Sequence, residues 1–173
     1  MWEELRAWLG SRLKVCPKEI TVLGSARTGF SLKPETWGHP FHAGSDLDLA
    51  VVSSALFTNV VETYQLWVDE YESGTVVPRG HERRYWDANR TFGQTNIPHG
   101  FYDLNKLPAL DRYPIAKAIM NTMWLVKAKL ERTPGAPSVR HASIRVYRDW
   151  ASLVARVSLN LMRGLACVES SGL

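Results

Sequence analysis

Cysteine is scarce in this chain, and where it occurs it is isolated. Cys16 and Cys167 lie far apart, without the short spacing that a zinc site uses. Neither a disulfide framework nor a zinc module is expected, and both residues read as reduced thiols of a cytoplasmic protein. Long apolar runs are also missing. The stretch from Leu153 to Val168 is interrupted by Arg156 and Arg163, and it reads as too short and too charged to span a membrane. Met1 is followed by Trp2-Glu3-Glu4, which is not the basic start of a secretory signal. No run of Lys and Arg is long enough to form a nucleic-acid arm. There is no internal repeat, no low-complexity tract and no Ser-His-Asp order.

What is present is the composition of a globular domain, with 45% hydrophobic and 22% charged residues. A length of 173 residues is one domain, or one domain with a helical extension. The net charge of +4 suits an anionic partner such as a nucleotide or RNA, without requiring one. Seven tryptophans are many for this size. Trp2, Leu5, Trp8, Leu9 and Leu13 recur at helical spacing, and Pro17 stops that helix. Both tryptophans there read as core packing.

The most informative stretch runs from Glu19 to Ser53. An apolar strand, Ile20-Thr21-Val22-Leu23, enters the turn Gly24-Ser25-Ala26-Arg27-Thr28-Gly29. After a loop rich in breakers (Pro34, Gly38, Pro40, Gly44) comes Gly44-Ser45-Asp46-Leu47-Asp48-Leu49-Ala50-Val51-Val52. Residues two apart in a strand share a face, so Asp46 and Asp48 project together while Leu47, Leu49 and Val51 face a core. Two adjacent carboxylates repel, and a divalent cation relieves that conflict. Mg²⁺ takes hard oxygen ligands, commonly one or two carboxylates with substrate phosphates. Glycine lets the backbone approach a ligand closely, and a helix start at Ser25 would offer free N–H groups to a phosphate. Arg27 is placed to reach a phosphate or to cap the loop. Taken singly, Asp-x-Asp is an ordinary exposed edge and Gly-Ser an ordinary turn.

Together these residues resemble the signature of the DNA polymerase β superfamily of nucleotidyltransferases, over Trp2 to Leu104. The resemblance implies a small mixed sheet with flanking helices in an α/β fold, and Mg²⁺- or Mn²⁺-dependent transfer of a nucleotide from an NTP, ATP first among them, to an acceptor hydroxyl. It implies that Asp46 and Asp48 hold metal and that Gly24, Ser25 and Arg27 bind the nucleotide. Small stand-alone members of the superfamily modify RNA ends, proteins or small molecules, often in toxin–antitoxin and phage-defence systems. The chain departs from the pattern twice. Its loop from Thr28 to Ser45 is longer than the usual spacer, and the third carboxylate of the family has no obvious motif.

Asp103, in the strand-like Gly100-Phe101-Tyr102-Asp103-Leu104, is the candidate third ligand, because an unpaired charge in an apolar setting is costly. The competing assignment makes Asp103 a turn residue before Asn105-Lys106-Leu107-Pro108. Asp87 and Asp111 are weaker candidates. His39 and His42, in the long loop, could touch substrate or metal, although loop histidines are more often only solvated.

Beyond the signature, Leu56 to Tyr71 carries a broad apolar helical stripe. The segment from His81 to Arg90 is a charged turn or short helix. Pro114 opens a helix carrying Ile115, Ile119, Met123, Val126 and Leu130. Ser138 is expected to start a long helix with Tyr147, Trp150, Val154, Val157 and Leu161 on one side. On it Arg145 and Arg148 could face phosphates, RNA or solvent. This divides the chain into a nucleotidyltransferase-like core over 1–110 and a helical extension over 111–173. Two other functions fit the same residues: an inactive fold serving as a nucleotide-sensing or interaction module, and an RNA-binding module using the arginine helix.

Overall fold

Alternating apolar residues give the chain a four-stranded mixed sheet, and the computed structural model describes residues 1–171. The strands are β1 (Ile20–Leu23), β2 (Leu47–Val52), β3 (Phe101–Asp103) and β4 (Ala142–Tyr147), in the spatial order β1-β2-β4-β3. β1 and β2 are antiparallel, β2 and β4 parallel, and β4 and β3 antiparallel. The helices are α1 (Trp2–Leu13), the single turn α2 (Ser25–Thr28), α3 (Ser54–Glu72), α4 (Glu82–Asn96), α5 (Pro114–Glu131) and α6 (Trp150–Ser171). This is the mixed α/β architecture expected from the sequence.

β4 is a correction. The sequence suggested a helix running from Ser138, yet residues 142–147 form a strand between β2 and β3. The segment after residue 110 therefore contributes an inner strand, and not helices alone. The helix begins only at Trp150. There Asp149 accepts hydrogen bonds from the backbone N–H and hydroxyl of Ser152, at 2.7 and 2.8 Å.

Register sorts the strand residues between two faces. Leu47, Leu49, Val51, Ile144 and Val146 join the main core with α1, α3 and α5. On the other face, Ala50, Val52, Phe101 and Tyr147 form a second cluster covered by Leu153 of α6. α6 thus covers part of the face that carries the acidic residues. Over Trp150–Glu169 its mean hydropathy is 1.3 and 17% of the window is buried, so by length and composition it could cross a membrane. The sequence argument that this stretch is too short and too charged does not hold for the helix as a whole.

α3 and α4 pack through aromatic rings, and Gly93 makes their close approach possible. A Cβ on Gly93 would sit 2.1 and 2.3 Å from two ring carbons of Tyr64. Tyr64 cannot swing aside freely, because its ring is buried and its hydroxyl donates to the Arg90 carbonyl at 2.6 Å. Gly93→Ala should therefore destabilise the protein. Overpacking costs about 1–3 kcal/mol, against a helix-propensity gain of at most about 1 kcal/mol. A thermal melt no lower than wild type would show that the ring relocates without penalty.

Candidate functional site

The site forms where β1 ends and β2 begins. The chain leaves Leu23 through Gly24 at φ +60° and ψ −152°, a conformation that side chains rarely adopt. A Cβ at Gly24 would lie 2.9 Å from Asp48 Oδ2, so the turn rests directly on that carboxylate. The N–H groups of Arg27 and Thr28 both donate to the Gly24 carbonyl, at 3.0 and 3.3 Å. With only one helical turn, α2 offers local N–H groups rather than a helix dipole. The Arg27 guanidinium folds back and donates to the Thr21 hydroxyl at 3.2 Å.

Asp46 and Asp48 are held differently. Arg140 grips Asp46 with a two-pronged hydrogen bond, Nε to Oδ1 at 3.0 Å and Nη2 to Oδ2 at 2.8 Å. This contact is set by the β2–β4 pairing, in which the Arg140 N–H donates to the Ser45 carbonyl and the Leu47 N–H to the His141 carbonyl. The Arg140 hydrogen bonds hold the Asp46 carboxyl below its usual range, and the charges of Arg140, His141 and Lys33 act in the same direction. The stabilisation from this pair is therefore present above the ordinary carboxylate pKa and is lost as pH falls through the lowered one. Asp48 accepts a 2.7 Å hydrogen bond from the hydroxyl of Ser143, its register partner on β4.

Asp103 stands one strand farther away. It pairs in register with Arg145, which in turn pairs with Ala50 of β2, so β4 separates Asp103 from the Asp46 and Asp48 strand. Its carboxylate forms a 3.5 Å ion pair with Arg145 Nε. Its other oxygen accepts from the Asn105 N–H at 3.1 Å, which is the turn role that competed with metal ligation. Arg145 lies within electrostatic reach of both Asp103 and Asp48. Asp87 receives the Tyr71 hydroxyl at 2.7 Å, and Asp111 pairs with Lys117.

The long loop is internally bonded. Phe30 bridges Pro40, the Ser31 N–H donates to the His39 carbonyl, and the Phe41 N–H to the Gly29 carbonyl. Trp37 packs against Gly164 of α6, where a Cβ would come within 2.8 Å of the indole. His39 and His42 are exposed, and His42 Nδ1 accepts from the Gly44 N–H at 3.0 Å.

No group of three His, Cys, Asp or Glu comes together among the described residues. The donor set at the strand end is thus the two carboxylates of Asp46 and Asp48. It fits an ion such as Mg²⁺ that completes its shell with substrate phosphates and water, provided the Arg140 fork lets go of Asp46. A cavity of about 240 Å³ lies elsewhere, between α3, α4 and their connection, and is lined by Tyr71, Arg83 and Arg90 among others. The residues that sequence reasoning missed are Arg140 and Ser143, the immediate partners of the two carboxylates. Compared with protein-family models, curated proteins and solved structures, the chain matches none of them.

Proposed function

We propose that this chain is a metal-dependent nucleotidyltransferase that moves a nucleoside monophosphate from an NTP, ATP first among them, to an acceptor hydroxyl. The observation that carries the proposal is the seating of the Gly24 turn against Asp48, which sets a positive-φ glycine turn beside the Asp-x-Asp segment. The turn follows β1, Asp48 lies on β2 and Asp46 immediately precedes that strand, which supports the reading. An oxygen of the acceptor attacks the α-phosphorus, a new O–P bond forms, the bond to pyrophosphate breaks, and the hydroxyl proton leaves with solvent or a neighbouring base. Asp46 and Asp48 would hold Mg²⁺ or Mn²⁺, which supplies charge neutralisation for the phosphates. Gly24, Ser25 and Arg27 would bind and orient the triphosphate. A toxin–antitoxin or phage-defence setting follows from family association alone.

The test incubates the protein with each α-labelled NTP, Mg²⁺ or Mn²⁺, and total cellular RNA and protein. Label transferred to any acceptor supports the proposal and names the acceptor class. NTP binding without transfer supports the second function, a nucleotide-sensing module.

One observation favours that second function: Arg140 occupies both Asp46 oxygens. Arg140→Ala separates the two. The Arg140 side chain is largely exposed and Asp46 keeps access to water, so fold stability should change little. Freed of its competitor, Asp46 should bind Mn²⁺ several-fold more tightly in a calorimetric titration. Unchanged or weaker Mn²⁺ binding would mean that Arg140 does not compete for this carboxylate.

A further inference from the structure

Arg156 lies within electrostatic reach of two further arginines, Arg145 and Arg163, and Arg145 is itself within reach of Asp48. Arg145 projects from β4, and Arg156 and Arg163 come from α6. Arg156 lies over the Phe101 ring, 4.6 Å from its centroid, and its inner nitrogen Nε is buried with no hydrogen-bond partner among the described residues. Among the described residues only Arg145 of the three has a carboxylate partner, Asp103. Burial and the charges of Arg145 and Arg163 disfavour the Arg156 cation, and Tyr147 offsets part of this. Tyr147, fully buried on the same face, stacks on Phe101 and lies within electrostatic reach of Arg145 and Arg156. An unpaired, half-buried guanidinium next to like charges is costly unless an anion completes it. A forked donor of this kind matches a phosphate group.

Along β4, Tyr147, Arg145 and Ser143 follow one another at two-residue steps on one face, and Ser143 touches Asp48. The arginines thus stand on the β3 side of the Asp-x-Asp strand, whereas the Gly24 turn stands on the β1 side.

We infer that Arg156 and Arg145 form a second phosphate site, separate from the Gly24–Ser25 cradle, and that it receives a phosphate carried by the acceptor. The acceptor class is then a nucleotide or oligonucleotide, with its hydroxyl directed to the carboxylates. The anion site stands on its own geometry, while its assignment to the acceptor rests on the transferase proposal.

The test is a calorimetric titration of the full chain with inorganic phosphate in EDTA. Wild type should bind it at millimolar concentration. Arg156→Gln should weaken binding about tenfold, the value of a charge-assisted contact, and Arg156→Lys should retain part of it. Arg132→Gln, which changes an exposed arginine elsewhere, should have no effect. No phosphate binding, equal binding by Arg156→Gln, or equal loss in Arg132→Gln would overturn the site. Repeating the titration with saturating α,β-methylene-ATP and Mg²⁺ identifies the source of the phosphate. Phosphate and nucleotide should bind together. Displacement of phosphate by the nucleotide would overturn the acceptor assignment. If the nucleotide analogue does not bind while phosphate still binds at Arg156, the transferase proposal fails and the anion site stands.

Discussion

The double variant Asp46→Ala/Asp48→Ala should lose nucleotide transfer by roughly a thousandfold or more, the scale seen when charge-stabilising groups leave a reacting centre, while its melting temperature changes little. Both halves of this expectation follow from the neighbours of the two carboxylates. Removing Asp46 releases Arg140, whose side chain is 60% exposed and can be solvated without a partner. Removing Asp48 leaves the Ser143 hydroxyl without its acceptor, a modest cost for a group that water can reach. Neither carboxylate belongs to the apolar clusters that hold the sheet together. Undiminished labelling by the double variant would remove the reaction from this strand end altogether. A parallel Asp103→Asn variant addresses the third ligand. The Arg145 pair and the Asn105 turn already satisfy Asp103, so its loss should leave Mn²⁺ affinity near wild type. A collapse of Mn²⁺ binding in Asp103→Asn would restore Asp103 to the metal set.

The local parts of the candidate site were legible in the sequence, and its cross-chain parts were not. Ile20–Leu23 and Asp46–Val52 read as strands from the sequence, the second beginning one residue later in the fold, at Leu47, and Gly24 is a turn residue for reasons visible in the chain itself. β4 was hidden by a stronger neighbouring signal. Trp150, Val154, Val157 and Leu161 do lie on a helix, and the same period continues backward in the sequence to Tyr147. The correct boundary had its own marker in Asp149, three residues before Ser152, which caps the helix. Ser143, Arg145 and Tyr147 alternating with Ile144 and Val146 is a period of two, short enough to be overruled. A helix expected over residues 142–147 hides the strand that carries or adjoins the partners of Asp46 and Asp48. Arg140 and Ser143 are 94 and 95 residues away in sequence and meet the carboxylates only through strand pairing. The long reach of Asp103 fails for the same reason, since its position two strands from β2 depends on β4 lying between them.

The largest effect on stability should come from Trp67→Ala. Trp67 is fully buried on α3, edge-on to Tyr64 and Trp86 and stacked with Tyr71. Truncating a buried tryptophan costs about 3–5 kcal/mol, out of a total of about 5–15 kcal/mol for a typical domain. A large fraction of the variant should therefore unfold at modest urea concentration. Trp67→Phe separates the ring volume from the indole N–H. The indole N–H of Trp67 is buried with no partner among the described residues, so phenylalanine removes an orphaned donor together with part of the ring. Relief of that donor offsets some of the lost packing, and the net cost should stay below about 2 kcal/mol. Urea titrations should show the two midpoints well separated at a common slope. Equal destabilisation would mean that the N–H is satisfied in solution and that ring volume alone matters. The expected order also bears on the site. Tyr64 of α3 packs on Tyr102, the residue before Asp103, while Trp67 locks α3 to α4 through Trp86. Loosening this aromatic layer should therefore disturb the β3 edge before it reaches the β1–β2 end, where Gly24 and Asp48 meet. Activity lost in proportion to the unfolded fraction, with Mn²⁺ affinity of the folded fraction unchanged, is the pattern that separates Trp67 from the carboxylates.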